Sequence, residues 1–351
     1  MSEREFYSRQ IRLKEVGEKG QLALSRSKVL VVGAGGLAHP CATYLAAAGI
    51  GRLSIIDFDK VELSNLNRQI CFSPEDKGQF KAEILAEKLK LQNPFIEIES
   101  IVEKLNPHNA QKIVTPFDIV IDCCDNFSTK FLIHDLALKF KKNLIQASIY
   151  QYEGQLQVFP FGKSNVQGCL RCLWPVVPEK GCTQNCHEAG LIGAVAGVLG
   201  SMQAMECIKL ILNLTDHYVN KTTTIDLLSM NLQNISWKKD DRCLYCSDIN
   251  SGPSVERGVY ESRYDFEIDA PLSDKMQLID IREVEEIENK SNYSNMIHWP
   301  MSQMNSWIKN IQKDTDYLFL CSKGIRSRTL VKDLRMNSFD NCYSLRGGLK
   351  K

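Results

Sequence analysis

A surplus of charge is the first thing this sequence lacks. Its 43 lysines and arginines stand against 42 aspartates and glutamates, a formal net charge of +1 at pH 7. So close a balance excludes the broad basic footprint of a nucleic-acid binder or of a protein held electrostatically on a membrane. An apolar leader is also missing, since MSEREFYSRQIRL is too polar for a secretory signal. The most apolar stretch, Leu191 to Leu212, is broken near its end by Gln203, Glu206 and Lys209, and reads as a buried helix rather than a membrane span. There is no internal repeat and no low-complexity segment. A soluble, cytoplasmic protein is expected, with neither nucleic acid nor membrane as partner. At 351 residues, 44% hydrophobic and 24% charged, the chain has ordinary globular composition and length enough for two domains.

Cysteine, by contrast, is plentiful. There are 13, an odd number, and without an export signal metal or thiol chemistry is a better expectation than disulfides. Cys169-Leu-Arg-Cys172 and Cys243-Leu-Tyr-Cys246 are paired Cys-x-x-Cys motifs whose thiolates suit a closed tetrahedral zinc site. A redox reading is weaker, because neither pair is expected to open a helix after a strand. In Gly181-Cys182-Thr-Gln-Asn-Cys186-His187-Glu188 a thiol beside a histidine is a candidate nucleophile, against the alternatives of a further structural ligand or an inert thiol. In Cys321-Ser-Lys-Gly-Ile-Arg326-Ser327 a cysteine at a strand end precedes a short glycine-containing loop. Backbone N–H groups there, with Lys323 and Arg326, would stabilise an anionic persulfide. The same cradle suits a phosphatase, so the loop alone does not choose between sulfur and phosphorus, and the blander reading of Cys321 is a buried strand cysteine. Cys41, Cys71, Cys123, Cys124, Cys207 and Cys342 read as packing residues. His39, His108, His134 and His217 have no ligand-like spacing and are assigned nothing.

The chain is organised around Val29-Leu-Val-Val-Gly-Ala-Gly-Gly-Leu-Ala38, a buried parallel strand running into Gly33, Gly35 and Gly36 and then a small-residue helix. Strand, glycine turn and helix present bare N–H groups to an anion. A second strand, Arg52-Leu-Ser-Ile-Ile-Asp57-Phe-Asp59, ends in an acid about 20 residues beyond the glycine turn, where a ribose hydroxyl is usually met. Lys81 opens an amphipathic helix, and strands follow at Ile96–Val102, Phe117–Asn126 and Asn143–Ser148. Gln155–Phe159 alternates as an antiparallel strand, and another lies near Thr223–Asp226. Residues 248–275 read as a linker, and a small α/β unit begins at Met276. Together these features describe a triphosphate site without a P-loop lysine motif. Arg68 and Lys81 could take phosphates as a planar fork and a point charge. Asp125, at the carboxyl end of the Phe117–Asn126 strand, could hold Mg²⁺; the blander readings are a helix N-terminal acid before Ser128 for Asp125 and a surface ion pair for Arg68.

Residues 1–247 resemble the MoeB/ThiF/HesA adenylyltransferases, relatives of ubiquitin-activating enzymes. The matching stretches are Tyr7-Ser-Arg9-Gln10-Ile11, Gly33-Ala-Gly-Gly36, Asp57-Phe-Asp59, Ser64-Asn-Leu-Asn-Arg68-Gln69, Lys81, Asp122-Cys-Cys-Asp125-Asn126, the four zinc-type cysteines and Asn185-Cys186-His-Glu-Ala-Gly190. Residues 276–351 resemble a rhodanese domain through Asp280-Ile-Arg282, His298-Trp-Pro300 and the Cys321 loop. The resemblance implies an α/β fold: a Rossmann-like mixed sheet with flanking helices and a four-cysteine zinc site, plus a small rhodanese-like α/β domain. It places Gly33, Gly35, Gly36, Asp57, Asp59, Ser64, Asn65, Arg68, Lys81, Asp125 and Asn126 around ATP·Mg²⁺. It implies a homodimer in which Arg9 reaches the partner's nucleotide, and a small ubiquitin-like sulfur carrier ending in Gly-Gly as substrate. Two departures stand out. Ala38 occupies a position where many members carry glycine, and the rhodanese match ends at Gly347-Gly-Leu-Lys-Lys351, so its terminal helix is expected to be short or absent.

The expected chemistry has two stages, adenylation of the carrier's C-terminal carboxylate and then sulfur transfer from a persulfide on Cys321, directly or by way of Cys186. A carrier thiocarboxylate for thiamine or molybdopterin synthesis would result. The rival readings are an NAD-dependent oxidoreductase on the same glycine turn, a non-catalytic scaffold, and an adenylating enzyme that activates a peptide terminus in natural-product assembly.

Overall fold

The computed structural model describes residues 2–162, 168–175, 177, 190–214, 220–247, 266–273, 275–287, 296–322, 324–337 and 339–349. The chain divides into two compact units, the first lying mainly within residues 1–261 and the second mainly within 262–351.

In the first unit β1 (Lys28–Val32), β2 (Arg52–Ile56), β3 (Glu97–Ile101), β4 (Ile119–Asp122) and β5 (Asn143–Tyr150) are parallel, in the order β3-β2-β1-β4-β5. Beyond β5 the sheet continues antiparallel through β6 (Glu153–Pro160), β7 (Lys221–Asp226) and β8 (Asn231–Ser236). This is the mixed Rossmann-like sheet expected from the sequence. β8 has no counterpart in the sequence reading: all its residues are exposed, so it lacks the apolar alternation that marks a half-buried strand.

The period of two along β1 sorts its side chains between two buried layers. Val29 and Val31 join Cys41, Leu45, Leu85 and Leu199 on one face, while Leu30 and Val32 join Val120, Phe131 and Leu136 on the other. Helices Ala38–Ala48, Lys81–Gln92 and Gly193–Leu212 supply the first layer, and helix Phe127–Lys139 the second. Helix Gly193–Leu212 is long and apolar enough to cross a membrane by length and composition, yet Val195, Ala196, Leu199, Gln203, Ala204, Cys207 and Leu210 are buried within the unit.

The strand order reverses between β1 and β4, which leaves a crevice beyond their carboxyl ends. The glycine turn leaves β1 there, and Cys123–Asn126 leaves β4 beside it. Gly33 carries φ +98°, and a Cβ at this position would lie 2.8 Å from the Cys123 carbonyl oxygen. Only glycine lets the two segments approach so closely.

The second unit is a parallel sheet ordered β11-β10-β12-β13-β9, from β9 (Glu267–Ile268), β10 (Gln277–Asp280), β11 (Met296–His298), β12 (Tyr317–Leu320) and β13 (Cys342–Leu345). β9 lies upstream of the Met276 start read from the sequence. Two residues are too few for a periodic signal; their place comes from pairing with Ser344 and Leu345.

Candidate functional site

The glycine turn is braced by an acid at the end of β2. Asp57 accepts from the Ala34 N–H at 2.6 Å and from the Asp59 N–H at 2.8 Å, one bond to each carboxylate oxygen. Burial pushes this carboxyl above its ordinary range, against the pull of those donors. Asp59 turns outward and meets Lys81 Nζ at 3.2 Å, on a lysine that is itself buried. The Lys81 N–H also donates to the Asp59 carbonyl at 2.9 Å, so the start of helix Lys81–Gln92 is anchored to the Asp57–Asp59 corner.

The segment Ser64–Gln69 closes the site from the other side. Arg68 Nη1 donates to the Ser64 carbonyl and to Asn67 Oδ1, each at 3.0 Å, which folds the guanidinium back over its own loop. Ser64 Oγ donates to Glu62 at 3.3 Å. Asn65 is buried and its Oδ1 has no hydrogen-bond partner among the described residues; the same holds for Gln69 Oε1. The loop is pressed inward by helix Gly193–Leu212: a Cβ on Gly193 would stand 2.3 Å from the Asn67 carbonyl oxygen and 3.1 Å from Arg68 Cα.

At the end of β4, Asp125 and Asn126 are exposed in the turn before helix Phe127–Lys139. Asn126 caps that helix: its Oδ1 accepts from the Thr129 N–H at 2.9 Å and from Ser128 Oγ at 2.8 Å. Beneath this turn lies a network that sequence reasoning missed. Asp122, with a fully buried side chain, receives Lys130 Nζ at 2.5 Å and Gln146 Nε2 at 3.0 Å on one oxygen, and the Cys124 N–H at 3.0 Å on the other. Lys130 Nζ also reaches the Ala147 carbonyl at 2.9 Å, and Gln203 Nε2 the Asp122 carbonyl at 2.8 Å. Burial works against the Lys130 charge, but Asp122 outweighs it and holds the ammonium above its ordinary range. A polar residue at position i+8 from a strand-end acid is the only sequence trace of this pair.

The structure thus gathers Gly33–Gly36, Asp57, Asp59, Ser64, Asn65, Arg68 and Lys81 through direct contacts, and places Asp125 and Asn126 at the same sheet edge. Arg9 does not join them: it is exposed on helix Ser8–Ile11, and its guanidinium makes no hydrogen bond or ion pair among the described residues. Cys186, with Cys182 and His187, lies outside the described residues.

The paired cysteines converge. Cys169 Sγ lies 3.9 Å from Cys172 and 3.6 Å from Cys243, Cys172 lies 3.4 Å from Cys246, and all four sulfurs are within 4.8 Å of one another. Sulfurs held about 2.3 Å from a tetrahedral ion stand roughly 3.8 Å apart, so this set fits a metal ion. Hydrogen bonding between Cys169 and Cys172 draws the Cys172 thiol down and pushes Cys169 up. Cys169 precedes a one-turn helix, Leu170–Leu173, with no strand running directly into it among the described residues; the second pair beside it is what favours a metal over a redox disulfide. Arg171 fastens the cluster to helix Phe127–Lys139. It forks onto Asp135 at 3.2 and 2.7 Å and lies between the rings of Phe131 and Tyr245.

In the second unit Cys321 follows β12 and is 1% exposed, its Sγ 3.5 Å from Ser327 Oγ. Helix Ile325–Met336 begins just past it, aiming its N-terminus at the loop. Two arginines flank the loop, each neutralised. Arg282 is bound to Asp280 through Nε and Nη2, and Arg326 to Glu286 at 2.7 and 2.6 Å. The Arg326 guanidinium holds the Glu286 carboxyl down to about 2. Lys323 lies outside the described residues.

Comparison with known proteins gives consistent results. The ThiF family matches residues 7–245, and the rhodanese-like domain matches residues 267–351. A sulfur carrier protein adenylyltransferase of Thermus thermophilus is 38% identical over 244 residues, 69% of this chain and 90% of that protein. The adenylyltransferase and sulfurtransferase MOCS3 of Drosophila willistoni is 35% identical over 379 residues, 98% of this chain and 81% of that protein. Among solved structures, E. coli MccB, crystallised with MccA-N7isoASN, aligns with a TM-score of 0.61 at 22% identity, over 71% of this chain and 76% of that one, a likeness of fold.

Proposed function

Because the chain belongs to the ThiF family and carries a rhodanese-like domain, we propose that it joins two reactions on one polypeptide: ATP-dependent adenylation of a ubiquitin-like sulfur carrier and sulfur transfer to the activated carrier. It is an adenylyltransferase with a sulfurtransferase domain, serving thiamine or molybdopterin synthesis. The observation that carries the reading is that a relative named for both activities is matched across 98% of this chain, while the glycine turn, Arg68, Lys81 and Asp125 meet at one sheet edge.

In our reading the glycine turn seats the nucleotide and Asp57 holds the turn in shape. The carrier's terminal carboxylate attacks the ATP α-phosphorus and pyrophosphate leaves, giving an acyl-adenylate whose carbonyl is a far better electrophile. Arg68 and Lys81 offset the charge that grows on the phosphates, each released from its present partner, Ser64 and Asn67 or Asp59. Asp125 would hold Mg²⁺, which supplies further neutralisation of phosphate charge. The metal at Cys169, Cys172, Cys243 and Cys246 is Zn²⁺ in this account, closed and structural.

Sulfur arrives from a persulfide donor onto Cys321. The terminal sulfur attacks the adenylate carbonyl, AMP leaves, and the carrier is joined to Cys321 through an acyl disulfide. Attack on the Cys321 sulfur by a second thiol, for which Cys186 is the candidate, releases the carrier thiocarboxylate and leaves a protein disulfide for a cellular thiol to reduce. We further propose a cytoplasmic homodimer in which Arg9 of one copy serves the nucleotide of the other.

Exchange of labelled pyrophosphate into ATP tests the first stage. It should require a carrier ending in Gly-Gly and disappear in Asp125→Ala; exchange without carrier, or undiminished exchange in the variant, would contradict the assignment.

A further inference from the structure

The nucleotide site contains a buried histidine to which the reaction above gives no task. His39 lies in the first turn of helix Ala38–Ala48, directly after the glycine turn, and is 0% exposed. Its Nδ1 accepts the Cys71 N–H at 2.9 Å, and its ring stands edge-on to Phe72, 4.4 Å between centroids. Nε2 is buried without a well-formed hydrogen bond.

Cys71 ends the loop that carries Arg68. Within that loop the Gln69 N–H bonds to the Asn65 carbonyl at 2.9 Å and the Phe72 N–H to the Gln69 carbonyl at 3.1 Å. The Cys71 N–H goes outside the loop, to the imidazole. Other contacts pin the same segment. Thr43 Oγ1, one turn along the helix from His39, is 3.7 Å from Cys71 Sγ. A Cβ on Gly36 would stand 3.4 Å from the Arg68 carbonyl, and one on Gly193 would be closer still to Asn67.

We propose that His39 is a positioning residue: a neutral imidazole that ties the Arg68 loop to the glycine turn, so that guanidinium and turn face one nucleotide together. The nucleotide part of this inference rests on the adenylation reading above. A packing role alone would favour an apolar side chain, because burying an imidazole carries the desolvation cost of its polar nitrogens. The Nδ1 bond requires the neutral ring with its proton on Nε2, on the side of the Ala34 backbone in the glycine turn.

The test uses the full-length protein and the substitutions His39→Leu and His39→Asn. Leucine fills space without an acceptor; asparagine places an oxygen near the Nδ1 position. The first readout is amide hydrogen exchange over residues 65–73, with the β1 amides as control for folding. The second is KM for ATP against kcat in carrier-dependent pyrophosphate exchange. His39→Leu should lose protection at Cys71 while β1 stays protected. Its KM for ATP should rise about five- to tenfold, the size of one hydrogen bond, with a smaller change in kcat. His39→Asn should restore both.

Unchanged protection at Cys71 in His39→Leu, or an asparagine variant no better than leucine, would overturn the proposal. If His39→Leu does not fold, His39→Asn must still show wild-type protection at Cys71, and its loss would be decisive. Absence of pyrophosphate exchange in the wild type would overturn the adenylation reading instead, and amide exchange would still decide whether His39 pins the loop.

Discussion

Lys130 gives the sharpest quantitative prediction. Lys130→Met would remove an ammonium held at 2.5 Å from Asp122 and 2.9 Å from the Ala147 carbonyl, and would leave a carboxylate whose side chain is fully buried. Gln146 Nε2 and the Cys124 N–H would still reach that carboxylate, but neither carries charge. Breaking a buried ion pair by removing one partner costs about 3–5 kcal/mol. For a unit of this size each kcal/mol shifts Tm by roughly 2–4 °C, so a fall of roughly 6–20 °C is expected. Calorimetry is the suitable assay, because the second unit supplies an internal reference transition that should not move. Adding Asp122→Asn removes the stranded charge and should recover most of the loss. A fall below about 2 °C, which is less than one typical hydrogen bond, would refute the reasoning. So would a double variant no more stable than Lys130→Met.

Three further outcomes follow from the same structure. Cys321→Ala should spare pyrophosphate exchange and abolish sulfur transfer, and equal loss of both would contradict the division of labour. The four-cysteine site should carry one zinc per chain by metal analysis; Cys243→Ser or chelation should lower the first calorimetric transition, whereas Cys321→Ala should keep full zinc. Burial pushes His39 down to about 3, outweighing a hydrogen bond with the Ala34 backbone that acts the other way, and the nearby charges of Lys81 and Lys88 add to the fall. An unfolded histidine titrates near 6.5. A depressed folded value means that the unfolded chain binds the extra proton, so this contribution is complete above about pH 6.5 and is lost as pH falls towards 3. The Tm of the first transition should therefore fall less steeply between pH 7 and pH 4 in His39→Asn than in the wild type.

What was legible in the sequence is what local pattern can express. The four apolar residues of β1, the glycines after them and the acid ending β2 lie within one stretch, and the Cys-x-x-Cys spacings announce a ligand set without saying how the pairs meet. The Asp122–Lys130–Gln146–Gln203 network was not legible, because its members come from a strand end, two helices and a neighbouring strand and meet only in three dimensions. His39 was passed over for the same reason, since its partner Cys71 is 32 residues away. The reading of the Cys321 loop as a positively charged cradle was incomplete, because Arg326 is paired to Glu286, in a segment with no motif of its own.

The central claim is that one chain both activates a carrier and loads it with sulfur. Mass spectrometry of a Gly-Gly-terminated carrier, incubated with the protein, ATP·Mg²⁺, a persulfide donor and a thiol reductant, tests it most directly. The account predicts that one carboxylate oxygen is replaced by sulfur, only when ATP is present, and in neither Asp125→Ala nor Cys321→Ala. Sulfur incorporation without ATP, or a carrier that remains unchanged under complete conditions, would contradict it.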